Sequence, residues 1–341
     1  MNVDEFDYDL PAELIAQAPA ETRDASRLLV LRRATGEVED RAFTDLPGLL
    51  RAGDCLVVND SRVIPARVLA EDDAGRPVEL LFVEPLSERA WRALVRPGRH
   101  CKPGAHLRAG GVRLRVLGAD PDGTRVIARE QGSIDALLDA HGLPPLPPYI
   151  ARYAKPAPED WERYQTVYAA APGSVAAPTA GLHFTREVLE RLSAAGVDVR
   201  AVTLHVGPAT FRPVTAVTVE AHRIPPERAR VPAATAEAID RARAEGRRVV
   251  AVGTTTVRTL ESAADERGGV RPFDGVAELT LRPGHRFGVV DALLTNFHLP
   301  RSSLLLLVAA FAGREAVLRA YRHAVDTRYR FYSYGDAMFI E

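Results

Sequence analysis

The sequence predicts an α/β protein, a larger discontinuous α/β domain interrupted by a small inserted antiparallel β-barrel. Three observations predict it. From residue 149 onward helical and strand-like patterns alternate, as in a sheet covered on at least one face. Between about Ala66 and Arg129 short strand-like runs follow one another across Gly/Pro-rich turns with no long helix between them. The segment before residue 66 carries strands but no obvious core of its own, so it is expected to pack with the C-terminal half. The boundaries read this way are 1–66 with 149–341 for the α/β domain and 67–148 for the insert.

Residues 11–17 read as a short helix with Pro near its start, where a missing N–H costs little. Residues 27–32 and 38–43, joined across Thr35-Gly36, read as a hairpin. Residues 56–58 read as a buried strand that delivers the polar run Asn59-Asp60-Ser61-Arg62 at its end. The insert supplies runs at 78–83, 91–95, 112–117 and 125–128, then a short helix at 133–140 and a stiff proline connector at 144–148. Helices are expected at 186–195, 234–245, 256–264 and 302–310, and strands at 201–206, 249–252 and 289–294. The aromatic end, 329–340, is expected to dock back on the fold.

At 341 residues the chain can bury a sizeable core. Its net charge of -1 gives no average attraction to nucleic acid, so any such contact must come from local patches. Of 44 Lys and Arg only Lys102 and Lys155 are Lys, a skew read as compositional bias rather than selection for phosphate contacts. Two cysteines, Cys55 and Cys101, suit a reducing compartment. The first residues are acidic where a signal peptide would be basic, and the longest strongly apolar run, 304–311, is too short to span a bilayer. A cytoplasmic protein with no membrane association is expected.

Four places could carry chemistry. Pro178-Thr179-Ala180-Gly181-Leu182-His183-Phe184-Thr185 precedes a helix that Thr185 can cap; it is either a structural loop or an active-site loop bearing His183. His205 follows Thr203 on one face of a strand and faces a crevice or serves the framework. In Val252-Gly253-Thr254-Thr255-Thr256-Val257-Arg258 a buried strand feeds a glycine, three hydroxyls and a helix start, a place for a carboxylate or phosphate or a simple cap. It lacks the P-loop and dinucleotide-binding glycine patterns. Thr295-Asn296-Phe297-His298-Leu299-Pro300 crowds an amide and an imidazole at a strand end, with Ser302 or Ser303 to cap the next helix. Arg258 and Glu261 are spaced as an ordinary helix pair. The histidines and cysteines show no metal-site spacing, so no metal is expected. Arg62, Arg67, Arg152, Tyr153, Arg163, Tyr164 and the terminal aromatics are possible RNA contacts, each aromatic taken singly being more simply explained by packing.

These segments, together with Leu10-Pro11-Ala12-Glu13-Leu14-Ile15-Ala16-Gln17, Asn59-Asp60-Ser61-Arg62-Val63-Ile64-Pro65-Ala66-Arg67, Tyr164-Gln165-Thr166-Val167-Tyr168 and the end from Tyr329 to Ile340, resemble the S-adenosylmethionine:tRNA ribosyltransferase-isomerase family of queuosine synthesis. The resemblance runs through nearly the whole chain. It implies a discontinuous α/β domain with an inserted barrel, and transfer of the ribosyl part of S-adenosyl-L-methionine, as co-substrate, to 7-aminomethyl-7-deazaguanine at the wobble position of tRNA with a GUN anticodon. Isomerisation would give epoxyqueuosine, with adenine and methionine released. The sulfonium would acidify the adjacent sugar carbon, so that a base can drive elimination of adenine before the RNA amine attacks.

By the same resemblance His183, His298 and Asp291 are expected at the catalytic centre. Gly253, Thr254, Thr255, Thr256, Arg258 and Asn296 are expected to hold the co-substrate, and Asn59, Arg62, Tyr168, His205 and His222 the RNA or its modified base. One departure stands out: Ala221-His222-Arg223-Ile224-Pro225-Pro226-Glu227 replaces a family pattern of Asp-His-x-Met-His-x-Glu, so Pro225 stands where a second histidine is usual. Alternatives are a diverged ribosyltransferase acting on another deazapurine or RNA, and a noncatalytic RNA-binding scaffold. A monomer or weakly self-associating chain is expected.

Overall fold

Three near-continuous apolar runs, β3 (Cys55–Asn59), β14 (Val249–Val252) and β16 (Ala292–Asn296), have the composition of strands buried on both faces. In the computed structural model, which describes residues 1–208, 214–266 and 268–341, they lie side by side in a nine-stranded sheet. The sheet runs β15 (Phe273–Ala277), β13 (Glu227–Val231), β12 (Asp198–Leu204), β3, β14, β16, β17 (Ala337–Ile340), β1 (Arg27–Leu31) and β2 (Val38–Ala42). β12, β3, β14 and β16 are mutually parallel, so all four release the chain at one edge. β17 runs antiparallel to β16 and parallel to β1.

Alternation along these strands builds two cores. Cys55, Val57, Val249, Ala251 and Leu293 face one cluster with Ile239, Val257, Leu260 and Val317. These come from α5 (Ala233–Ala244), α6 (Thr254–Ser262) and α8 (Arg314–Asp326), and α7 (Ser303–Ala312) adds Leu305 to Val308. Leu56, Val58, Val250, Val252 and Leu294 face the other, with Leu46 of α1 (Leu46–Leu49) and Val188 and Leu192 of α4 (Arg186–Ala194). Both faces of the sheet are therefore covered.

The chain forms two compact units. One comprises Met1–Arg62, Gln165–Ala171 and Ala177–Glu341; the other comprises Val63–Tyr164 and Pro172–Ala176. Short strands β4 (Ser61–Val63) and β11 (Ala171–Ser174) lie where the chain passes between them. The second unit is a closed six-stranded antiparallel barrel of β5 (Arg67–Asp72), β6 (Pro77–Pro85), β7 (Ala90–Arg96), β8 (His106–Ala109), β9 (Val112–Ala119) and β10 (Arg125–Arg129). Val68, Leu80, Phe82, Trp91, Leu114 and Ile127 fill it, and α2 (Ile134–His141), capped by Ser133, closes it with Ile134, Leu137 and Leu138. A further turn, α3 (Asp160–Arg163), contributes Asp160, which pairs with Arg152 at 2.6 Å. Arg67 is buried, donating to the Tyr153 carbonyl at 2.7 Å and to Glu79 at 3.2 Å. Arg67, Arg152 and Tyr153 thus hold this unit together.

The mixed α/β class and the inserted-type antiparallel barrel agree with the sequence reading, but several elements differ. Residues 11–17 form only a 3-10 turn at Ala12–Leu14, because Ile15 turns extended and Ala16 donates its N–H to Phe331. α8 has no counterpart among the expected elements, although Val317, Ala320, Tyr321 and Ala324 repeat at helical spacing; its charged residues hide that stripe. β5 and β8 also go beyond the expected runs, being short and interrupted by charges. The terminal aromatics pack inward: Phe331 and Tyr329 meet Phe297, and β17 completes the sheet.

Candidate functional site

In open α/β sheets ligands collect outside the carboxyl ends of parallel strands. Here that edge carries Asn59-Asp60 after β3, His205 after β12, Gly253-Thr254 after β14 and Asn296-Phe297-His298 at the end of β16. The loop from Pro178 to His183, a 3-10 turn held by Gly181 N–H to Pro178 O at 2.8 Å, lies over it. Thr179, Ala180, Gly253, Thr254, Thr255, Asn296, His298 and Tyr332 line a cavity of about 40 Å³.

Gly253 turns the chain from strand to helix at φ +88°, a conformation that L side chains resist. Its own N–H is spent on Leu294 O at 2.7 Å, and α6 then starts with no side-chain cap. The first N–H groups of a helix have no partner within it and sit at the positive end of its dipole. Thr254 lines the cavity, whereas Thr256 turns away to bond the Val252 carbonyl at 2.6 Å. Thr255 Oγ1 accepts from Asn59 Nδ2 at 3.2 Å.

His298 is buried and its Nε2 bonds Thr295 Oγ1 at 2.9 Å, while its Nδ1 has no hydrogen-bond partner among the described residues. The backbone around it is pinned by Tyr8 Oη donating to its carbonyl and by its N–H donating to Tyr321 Oη at 3.1 Å. Burial lowers the imidazole to about 3, so His298 is neutral at physiological pH. His183 is buried as well, with Nδ1 bonded to Ser26 Oγ at 2.8 Å and Nε2 to Asn296 Nδ2 at 3.1 Å. Burial, then the positive charges of Arg330 and Arg23, push it down to about 3.

The remaining expected residues divide. Asn59 is fully buried and holds Leu204 through both its amide oxygen and its amide nitrogen, at 3.0 Å each. It ties β3, β12 and α6 together and has little capacity left for a substrate. Tyr168 packs edge-on against Phe184 rather than standing exposed to stack a base. Arg62 is exposed. His205 is half-buried with Nδ1 unpartnered among the described residues, and burial lowers its pKa. His222 bonds Ser303 Oγ at 2.7 Å, while Ser302 caps α7.

Two expected site residues are elsewhere. Asp291 stands before the N-terminal end of β16, where its carboxylate accepts the Val249 N–H at 2.8 Å. Five residue steps of extended chain separate it from Asn296, roughly 16 Å. Arg258 points away from the cavity, with Nε on Leu279 O at 2.9 Å and Nη2 on Ala277 O and Pro225 O at 2.7 and 2.8 Å. Its Nη1 pairs with Glu227, which also accepts the Gly207 N–H at 2.7 Å. Glu261 is not its helix partner; that carboxylate caps the N–H groups of Gly288, Val289 and Val290. Sequence reasoning missed Ser26 and placed Tyr332 only among the terminal aromatics offered as RNA contacts; both reach the site from distant segments.

The family described as "Queuosine biosynthesis protein" matches residues 3–340. An S-adenosylmethionine:tRNA ribosyltransferase-isomerase of Symbiobacterium thermophilum is 51% identical over 344 residues, covering 100% of both chains. One from an Anaeromyxobacter species is 54% identical over 346 residues, covering 100% of this chain and 99% of the other. A crystal structure of S-adenosylmethionine tRNA ribosyltransferase from Thermotoga maritima is 41% identical, covers 99% of this chain and 100% of its own, and superposes with a TM-score of 0.57. The fold is that of an α/β transferase. The chain belongs to the S-adenosylmethionine:tRNA ribosyltransferase-isomerase family and is an enzyme of tRNA modification. Among the described residues no group of three His, Cys, Asp or Glu could hold a metal ion, and no helix is long and apolar enough to cross a membrane.

Proposed function

We propose that the enzyme transfers and isomerises the ribosyl moiety of S-adenosyl-L-methionine onto 7-aminomethyl-7-deazaguanine at the wobble position of tRNA with a GUN anticodon. The products are epoxyqueuosine in RNA, adenine and methionine. Full-length similarity to enzymes bearing that name carries the reading. The uncapped start of α6 beside Asn296 and His298 supports it from the site.

The methionine carboxylate sits at the N–H groups of Thr254 and Thr255, where the helix dipole favours an anion. A cavity of about 40 Å³ has room for that polar end, not for a whole nucleoside, so the sugar and adenine lie toward its mouth. His298, neutral and with Nδ1 open, takes the proton from the sugar carbon next to the sulfonium when its Nε2 carries the hydrogen bonded to Thr295. Loss of that proton and departure of adenine open the sugar to the RNA amine, and expulsion of methionine completes the new ring. Asp291 and Arg258 support the sheet and have no part in these steps.

The division into an α/β domain, 1–66 with 149–341, and an inserted domain, 67–148, belongs to the same reading, supported by closure of the barrel between Arg67 and Arg129. So do a cytoplasmic location and a monomeric or weakly self-associating state, which suit a tRNA substrate. The test supplies S-adenosyl-L-methionine and tRNA carrying 7-aminomethyl-7-deazaguanine, and resolves RNA, adenine and methionine by mass spectrometry. Epoxyqueuosine with stoichiometric adenine and methionine is expected. Methyl transfer, or release of both small products without the modified nucleoside, overturns the reading.

A further inference from the structure

Asn296 is 2% exposed and its amide has one allowed orientation. Nδ2 lies 3.2 Å from the Tyr332 carbonyl and 3.1 Å from His183 Nε2. A backbone carbonyl only accepts, so the NH2 group must face Tyr332, and its second hydrogen goes to His183. Nε2 of His183 is therefore the acceptor, and Nδ1 carries the proton and donates to Ser26 Oγ at 2.8 Å. Both ring nitrogens are engaged, so neither is open to a ligand.

The amide oxygen is the group left over. Among the described residues Asn296 Oδ1 is buried without a hydrogen-bond partner, and Asn296 lines the cavity. Buried acceptors are rarely abandoned in this way. Tyr332 supplies a second observation. Its φ of +76° is a region that a bulky side chain avoids, and such strain persists only where the surroundings impose it. Here its N–H is tied to Phe297 O at 3.1 Å, and its carbonyl also accepts from Gly335 at 3.0 Å. The strained residue presents to Asn296 the carbonyl that fixes the amide.

We propose that Asn296 Oδ1 accepts a hydrogen bond from the α-ammonium group of the methionine moiety of S-adenosyl-L-methionine, and that His183 is a positioning residue that holds the amide in this orientation. The inference rests on the co-substrate reading given above. The α-carbon of methionine carries an anion and a cation together, and the cavity offers helix N–H donors for the first and the unpaired amide oxygen for the second. An acceptor aimed at a cation makes a charge-assisted bond.

The test compares kcat/KM for S-adenosyl-L-methionine with that for its analogue lacking the α-amino group, using tRNA carrying 7-aminomethyl-7-deazaguanine. Wild type is expected to prefer the natural co-substrate by about 10- to 100-fold, the range of a hydrogen bond to a charged group. In H183L the amide keeps only its bond to the Tyr332 carbonyl and can tilt about it, so this preference should fall below about 3-fold through a rise in KM for the natural co-substrate, with kcat within about 5-fold of wild type. H183Q, which restores an acceptor, should recover the preference. An absent preference in wild type overturns the assignment whatever the variants do. So does loss of kcat in folded H183L with the preference intact, which would make His183 a proton carrier. Wild type that forms no epoxyqueuosine from the natural pair would instead defeat the underlying functional reading.

Discussion

Gly181 lies against the phenol of Tyr168: a Cβ at position 181 would stand 2.1 Å from the Tyr168 oxygen and 2.8 Å from Thr166 Cγ2. The glycine is required by this approach, since the loop carrying His183 can lie on the 165–171 segment only with no side chain there. G181A should cost about 1–3 kcal/mol through overpacking. The Tyr168 hydroxyl has no partner among the described residues, so Y168F should be neutral or slightly stabilising. Urea denaturation of the double mutant should show G181A costing less in the Y168F background, because the closest obstructing atom is gone. Equal costs in both backgrounds would mean that the loop shifts as a body.

Arg258 and Glu227, 5% and 11% exposed, are a buried pair that burial pushes toward neutrality from both sides, upward for the carboxyl and downward for the guanidinium. Removing one partner of such a pair leaves an uncompensated buried charge. R258A should therefore destabilise the protein by about 3–5 kcal/mol. P225H should behave quite differently, because Arg258 uses the carbonyl of residue 225, which any residue supplies. Its expected cost is about 0.4–1 kcal/mol, from the greater freedom of the unfolded chain. Chemical denaturation of both variants checks the contrast.

Much of this fold was legible because it was written in periodicity. The continuous apolar runs of β3 and β14 and the Gly253 turn between strand and helix are local signals, and the barrel follows from short strands without a helix between them. The same reasoning correctly crowded Asn296 and His298 at a strand end, and could not go further. Whether Arg258 faces a ligand or Glu227 depends on a partner 31 residues away, and Asp291 and Asn296 stand at opposite ends of β16, where they do different work. Tyr332 reaches the cavity because β17 inserts between β16 and β1, a topological fact with no sequence marker.

Acid should unfold the protein through its buried histidines. His183 and His298 are held at about 3 against an ordinary 6.5, so between these values the unfolded chain binds protons that the folded chain refuses. Their contribution is complete above pH 6.5 and is lost as pH falls toward 3, with a slope of about 1.4 kcal/mol per pH unit for each residue. Unfolding free energies measured in urea at pH 6, 5 and 4 should fall accordingly. In H298Q the decline should be shallower by about one such slope, and an unchanged decline would show that His298 is solvated enough to titrate normally.

Chemistry places the sharpest demand on His298. It is neutral by burial, its Nε2 is anchored on Thr295, and it lines the cavity with Nδ1 unpaired among the described residues. A positioned general base contributes about 10²- to 10⁴-fold, so H298A should lower kcat by that factor and change KM for S-adenosyl-L-methionine by less than about 3-fold, since the binding groups at Thr254 and Asn296 remain. Because the group does not titrate near neutrality, the wild-type kcat profile should show no ionisation from it between pH 5 and 8. Removing the ring also leaves space beside Thr295, so added imidazole should restore part of the lost rate in H298A without affecting wild type. A variant that binds co-substrate normally, loses kcat and gains from imidazole identifies the proton acceptor; one that loses only affinity assigns His298 to orienting the ligand.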